Sequence, residues 1–297
     1  MVAELEMNGQ YGTAHVCGSV LRSVMAFGGE GLPVSGITPL WLKAYEGYLL
    51  HKGGKGLAWN TVSTYMRMLQ AVYNRAVVRK LAAFIPHQFR DVFTGRKADH
   101  RRVLERDDMQ KLLVERDPDI TSPGMAWARA CLELMFRFHG MPFVDLAHLR
   151  KSDLKDGYLT LRRRKTGMPL SARVDGRAMQ LLERYRNRDD TSPYLLCFLD
   201  GNLEGMAAYR DYQRILRLLN SRLRVLALWK KVQGKVTSYS ARHTWATVGR
   251  YCHIPIEVIS EGLGHASVTT TEGYMKGFGN SRMDRANKVI MNYIFKG

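Results

Sequence analysis

The amino-acid sequence predicts a mainly α fold with a small β-sheet. It divides into a helical N-terminal domain (residues 1–94), a basic linker (95–102) and a larger C-terminal domain (103–297). Three observations carry that expectation. Apolar residues return at gaps of three and four along most of the 297 residues, the period of a half-buried helix. From Gly157 to Arg173 the period drops to two, the mark of strands. Between the two helical stretches, Gly95-Arg96-Lys97-Ala98-Asp99-His100-Arg101-Arg102 is polar, basic and without apolar period.

In the first domain, helices are expected at 14–27 and 39–50, with the glycine-rich loops Gly28–Gly31 and Gly53–Gly56 after them. The clearest helix starts at Asn60-Thr61, with Asn60 as N-cap. Its apolar stripe is Val62, Tyr65, Leu69, Val72, Tyr73, Ala76 and Val77, which leaves Arg67, Asn74, Arg75 and Arg79 mostly off the stripe, able to meet phosphate. In the second domain, helices are expected at 106–115, 124–138, 175–187 and 207–230. The last of these buries Tyr212, Ile215, Leu216, Leu219, Leu223 and Leu226. The period-two stretch reads as a β-hairpin with Gly167 in the turn and Lys165 at its tip. Pro255 opens a short helix that Gly264 caps, so His265 stands at its exit. Ser267 caps the following helix, which carries Tyr274. With Ser240 as N-cap, Arg242 would sit in a first helical turn, where free backbone N–H groups favour an oxyanion. An amphipathic helix at 283–295 ends the chain.

Charge narrows the function class. Lys and Arg number 45 against 27 Asp and Glu, a net charge of +18. On a chain of ordinary hydrophobicity this points to a polyanionic partner, and to nucleic acid before membrane, since no basic amphipathic helix stands apart from a core. No apolar run is long enough to cross a bilayer, and the first residues do not read as a signal peptide, so a cytoplasmic, nucleoid-associated protein is expected. Cys17, Cys131, Cys197 and Cys252 are far apart and fit reduced thiols. Neither they nor His15, His51, His87 and His148 show metal-ligand spacing, so no metal or other cofactor is expected.

The segment Leu263-Gly264-His265 through Thr270-Thr271 to Tyr274 resembles the signature of the tyrosine recombinases, also called the phage-integrase family. The resemblance covers nearly the whole chain. The Asn60–Val77 helix is similar to the family's SAM-like core-binding domain, and the region from Val103 to its α/β catalytic domain, the DNA breaking–rejoining fold. Gly140-Met141-Pro142-Phe143-Val144-Asp145-Leu146 and Arg162-Arg163-Arg164-Lys165-Thr166-Gly167 resemble the branch of conjugative transposons and DNA invertases. The resemblance implies that Tyr274 is the nucleophile and forms a 3′-phosphotyrosine. It implies that Arg242 is the second active-site arginine, Lys165 a general acid, and His265 a phosphate ligand. Asp145 matches an acidic position that braces the site. The chemistry agrees: extra negative charge on phosphate oxygens in the transition state is met by fixed cations and N–H donors, and a phenol needs such help to ionise.

Two departures stand out. Tyr239 occupies a position where many relatives carry histidine. The family's first arginine is missing near Gly140, where the sequence offers His139 or Arg137, or a site with one arginine fewer. DNA contacts are expected from Asn60, Thr61, Arg67, Arg75, Arg79, Arg96, Lys97, Arg101, Arg102 and Arg164, mostly to phosphate. The implied partners are double-stranded DNA with inverted-repeat core sites and further copies of the chain, four on DNA, with the 283–295 helix packing in trans. DNA-bending or directionality factors are possible accessories. Two competing readings are a type IB topoisomerase-like relaxing enzyme and a DNA-binding regulator with a decayed site.

Overall fold

The computed structural model describes residues 1–95, 97, 103–113, 122–272 and 287. The chain forms two compact units: Met1–Ala98 with Glu204–Tyr209, and Asp99–Leu203 with Arg210–Gly297. Arg96, Arg101, Arg102 and Tyr274 lie outside the described residues, as does the helix expected at 283–295 apart from Asn287.

The described residues of the N-terminal unit include the helices α1 (Val2–Met7), α2 (Tyr11–Gly28), α3 (Pro39–His51) and α4 (Trp59–Val78). Helix α3 begins where Thr38 Oγ1 accepts the Trp41 N–H at 3.2 Å and Pro39 supplies a pre-set φ. The core is built from Val20 and Val24 of α2, Leu42, Tyr45 and Leu49 of α3, and Val62, Met66, Leu69 and Tyr73 of α4. The α4 stripe predicted from sequence is therefore the packed one, with Met66 and Ser63 added to its centre.

The cap of α4 differs from expectation. Ala58 is the N-cap, and Asn60 lies inside the first turn. The physical reason is a better partner for the Asn60 amide. Its Nδ2 donates to the Lys97 carbonyl and its Oδ1 accepts the Lys97 N–H, each at 2.8 Å. Ser63 Oγ adds a bond to the Gly95 carbonyl at 2.6 Å, and Lys97 Nζ lies 4.4 Å from the centre of the Trp59 ring.

The second unit contains α5 (Arg106–Leu113), α6 (Pro123–Arg137), α7 (Phe143–Ala147) and the strands β1 (Leu154–Lys155), β2 (Tyr158–Arg162) and β3 (Pro169–Arg173). It continues with α8 (Gly176–Arg184), α9 (Gly205–Trp229, of which the residues from Arg210 belong to this unit), α10 (Ser238–Tyr251), α11 (Ile256–Leu263) and α12 (Val268–Glu272). The sheet is antiparallel in the order β1-β2-β3, and Leu159 faces Ala172 while Leu161 faces Leu170. Its inner face joins α6, α8 and α9 through Leu132, Met135, Leu159, Leu170, Leu182, Leu219 and Leu223. Among the described residues, no helix is long and apolar enough to cross a membrane.

Candidate active site

The site is organised around Arg242, which is 2% exposed. Here the structure corrects a second cap. Thr237, not Ser240, is the N-cap of α10: its backbone is extended and its N–H donates to Ser240 Oγ at 3.1 Å. Ser240 is thereby the third residue of the helix, and Arg242 falls in the second turn rather than the first. Its guanidinium is held by carbonyls from other elements. Nη1 donates to the Gly140 carbonyl at 3.0 Å, and Nη2 donates to the Leu263 carbonyl at 2.7 Å. Leu263 is the last residue of α11, so its carbonyl lacks an intrahelical partner and is open to a cation. Gly140 has φ +67°, and a Cβ there would stand 2.9 Å from the Arg242 Cα, so only glycine lets this turn lie against α10.

His265 follows the left-handed Gly264 that ends α11. Arg242 Nη2 donates to its Nε2, and its Nδ1 meets Thr271 Oγ1, both at 2.8 Å. Because Nε2 accepts from a guanidinium, the network assigns the ring proton to Nδ1. Burial first, then the charges of Arg242, Arg163 and Lys165, push the imidazole down to about 3. His265 is thus neutral at any physiological pH, with its place fixed from both sides.

The β2–β3 hairpin supplies the third part. Lys165 is exposed near its tip, Gly167 takes φ +69° in the turn, and Lys165 is close enough for its charge to bear on His265. Arg163, the residue after β2, is 5% exposed. Its Nε donates to Asp145 Oδ2 at 2.7 Å, and its Nη1 donates to the Leu263 carbonyl and, at 3.3 Å, to that of Gly264. Asp145 Oδ1 also accepts the Arg164 N–H at 2.9 Å, which gives this acidic position its bracing task. The Arg164 side chain stays exposed.

His139, also left-handed at φ +56°, packs its ring 5.6 Å from that of Trp245, and burial lowers its pKa. It adjoins the Gly140 turn, and its burial disfavours the charged form. Arg137 is turned to other partners: it donates to Glu133 at 3.0 Å and to Asp175 at 2.6 Å, the latter being the N-cap of α8. Tyr239 is 37% exposed in the first turn of α10, its ring 6.0 Å from that of His243. On α4, Thr61 and Arg67 are exposed, while Arg75 and Arg79 reach Glu4 at 3.1 and 3.4 Å. Sequence reasoning missed Arg163 and Thr271 as site residues. The signal for Arg163 was present: it continues the inward phase of Leu159 and Leu161 along β2. Among the described residues, no cluster of three or more His, Cys, Asp or Glu side chains could hold a metal ion.

The phage integrase SAM-like domain matches residues 1–90, and the phage integrase family matches residues 102–278. Among solved structures, a lambda integrase dimer bound to a COC′ core site aligns with a TM-score of 0.64 at 17% identity, covering 90% of this chain and 89% of that one. The Tn1549 transposon integrase in complex with transposon right end DNA aligns with a TM-score of 0.62 at 16% identity, covering 93% and 92%. The fold is that of the two-domain tyrosine recombinases. The chain belongs to the phage integrase family. The tyrosine recombinase XerA of Pyrococcus furiosus is 29% identical over 140 residues, 46% of each chain, so this match spans about half the length of that relative. The integrase/recombinase y4gC of Sinorhizobium fredii is 27% identical over 180 residues, 59% of this chain and 88% of that protein.

Proposed function

We propose that this protein is a site-specific DNA recombinase that cuts and rejoins duplex DNA through a 3′-phosphotyrosine on Tyr274. The observation that carries the reading is the buried Arg242, fixed on two carbonyls and joined to His265 beside the Lys165 hairpin. Such a group, immobile before substrate arrives, is what stabilises charge growing on phosphate oxygens. In the proposed step the Tyr274 hydroxyl gives up its proton to solvent, its oxygen bonds to phosphorus, and the bond to the 5′-oxygen breaks. Lys165 gives that oxygen its proton. The ester keeps the bond energy, so attack by another 5′-hydroxyl reverses the step, with neither ATP nor metal required. The partners are double-stranded DNA carrying inverted core repeats and further copies of the chain, assembling as four on DNA. The exposed Arg67 and Arg164 contact phosphate. Integration, excision and inversion all use this chemistry.

The test traps protein on a nicked suicide substrate, with the core site taken from inverted repeats flanking the gene. Wild type forms an adduct that survives denaturant, and Tyr274→Phe forms none. DNA binding without any adduct in wild type would identify a regulator with a decayed site. Relaxation of supercoils by a monomer, without exchange between paired sites, would identify a topoisomerase-like enzyme.

A further inference from the structure

We infer that Arg163 is a positioning residue that fastens the hairpin tip carrying Lys165 to the turn carrying His265, so that both are in place before DNA binds. The inference rests on the proposed strand-transfer chemistry and extends it to a residue that touches no reacting atom. Arg163 reaches three elements at once. Its side chain binds Asp145 at the start of the second unit's α7 and the carbonyls of Leu263 and Gly264 at the end of α11. Its backbone closes the hairpin loop: its N–H donates to Met168, and its carbonyl accepts the Gly167 N–H at 2.8 Å. Lys165 lies inside that loop.

Further contacts converge on the same seam. The Arg164 N–H donates to Asp145, and Thr166 Oγ1 donates to the Gly264 carbonyl at 3.5 Å. A Cβ on Gly264 would lie 3.1 Å from Arg163 Nη1, a tight contact, so the left-handed glycine leaves the guanidinium room against the turn. The Leu263 carbonyl accepts from Arg163 and from Arg242 together, which couples the hairpin to the Arg242–His265 pair through one oxygen. A plain structural ion pair would need only Asp145. The two bonds to the turn before His265 are what assign Arg163 a place in the site. Lysine cannot replace it, because an ammonium lacks the planar fork that serves a carboxylate and a carbonyl in different directions.

The experiment measures single-turnover cleavage on two suicide substrates, one with the ordinary 5′-oxygen leaving group and one with sulfur in its place. A thiolate departs without a proton, so the sulfur substrate relieves any defect in Lys165 or its placement. Lys165→Ala and Arg163→Lys are each expected to cleave the oxygen substrate about a hundredfold more slowly, and the sulfur substrate near the wild-type rate. Failure of sulfur to rescue Lys165→Ala removes the general-acid reading, and the inference falls with it. Rescue of Lys165→Ala but not of Arg163→Lys overturns the Arg163 inference alone, as does an unchanged oxygen rate in Arg163→Lys. Thermal melting checks the fold. Should Arg163→Lys melt below the assay temperature, Arg163→Met/Asp145→Leu replaces the buried pair by apolar groups and carries the same expectations.

Discussion

Arg242 of α10 and the arginines of α4 are the same residue in opposite surroundings. Arg242 is 2% exposed and donates to two backbone carbonyls, those of Gly140 and Leu263. The side chains of Arg75 and Arg79 are 46% and 60% exposed and share one carboxylate, that of Glu4, itself 38% exposed. A guanidinium clamped in a dry site is aimed at one point and keeps its full electrostatic strength there. An exposed one is screened by salt and can attract phosphate without placing it. The first kind suits a reaction centre, the second a DNA-binding face.

The largest effect is expected at Arg242. Arg242→Lys should slow adduct formation by about 10²–10³-fold, because a preorganised donor to the phosphate is lost. Noncovalent DNA affinity, read by mobility shift, should stay near wild type. A parallel fall in affinity would place Arg242 with the α4 arginines and dissolve the distinction.

Next comes the turn that Arg242 leans on. Gly140→Ala puts a Cβ 2.9 Å from the Arg242 Cα and forces a left-handed alanine. Strain and steric conflict together should cost about 2–4 kcal/mol, measured by urea unfolding. Unchanged stability would mean that the turn relaxes away and that Arg242 is less firmly held than its bonds imply.

The two regions also differ in how far the sequence disclosed them. The α4 stripe was legible because a long amphipathic period repeats its evidence every turn. The α4 cap was not, because the Asn60 amide finds its partner at Lys97, far along the chain. Ser240 was misread for a related reason: Thr237 three residues before it offers the extended backbone an N-cap needs. The hairpin was legible by alternation, yet β1 was missed. It has two residues, and only the Asp156-Gly157 pair, with φ +52° and +77°, announces its turn. The identities of Arg242, Lys165 and His265 were readable as residues in a motif. What holds them was not, since the Gly140 and Leu263 carbonyls carry no side-chain signature. Arg163 sat unnoticed in a basic run although its strand phase pointed inward.

A third expectation concerns pH. His265 is held down to about 3, by burial first and then by Arg242, Arg163 and Lys165. His148 is held down to about 4, by burial first and then by Arg164, and its Nδ1 lies 2.7 Å from the Val144 carbonyl. Unfolded, each titrates near 6.5, so on acidification the unfolded chain takes up protons that the folded chain refuses. Stability should therefore fall as pH drops from about 6.5 toward 4, and these two groups should contribute no pH dependence above that window. His265→Gln should flatten part of the slope in melting temperature against pH. An unchanged slope would show that His265 does not hold the neutral, doubly bonded state assigned to it.

The smallest effects belong to α4, and there the sign is the informative quantity. Arg67 is exposed, so Arg67→Gln should weaken binding to all DNA sequences alike and reduce the slope of log affinity against log salt by about 1. Glu4→Gln should act in the opposite direction. It removes the carboxylate that Arg75 and Arg79 share, at a stability cost of less than about 1 kcal/mol, since exposed ion pairs contribute little. It also leaves two guanidiniums to meet phosphate, so affinity should rise a few-fold at low salt and the salt slope should steepen. Neither variant should alter the cleavage rate once DNA is saturating, because neither residue is among the bonded partners of Arg242. If Glu4→Gln weakens binding instead, Glu4 is orienting the two arginines toward DNA rather than competing with it, and the α4 face is more preorganised than its exposure suggests.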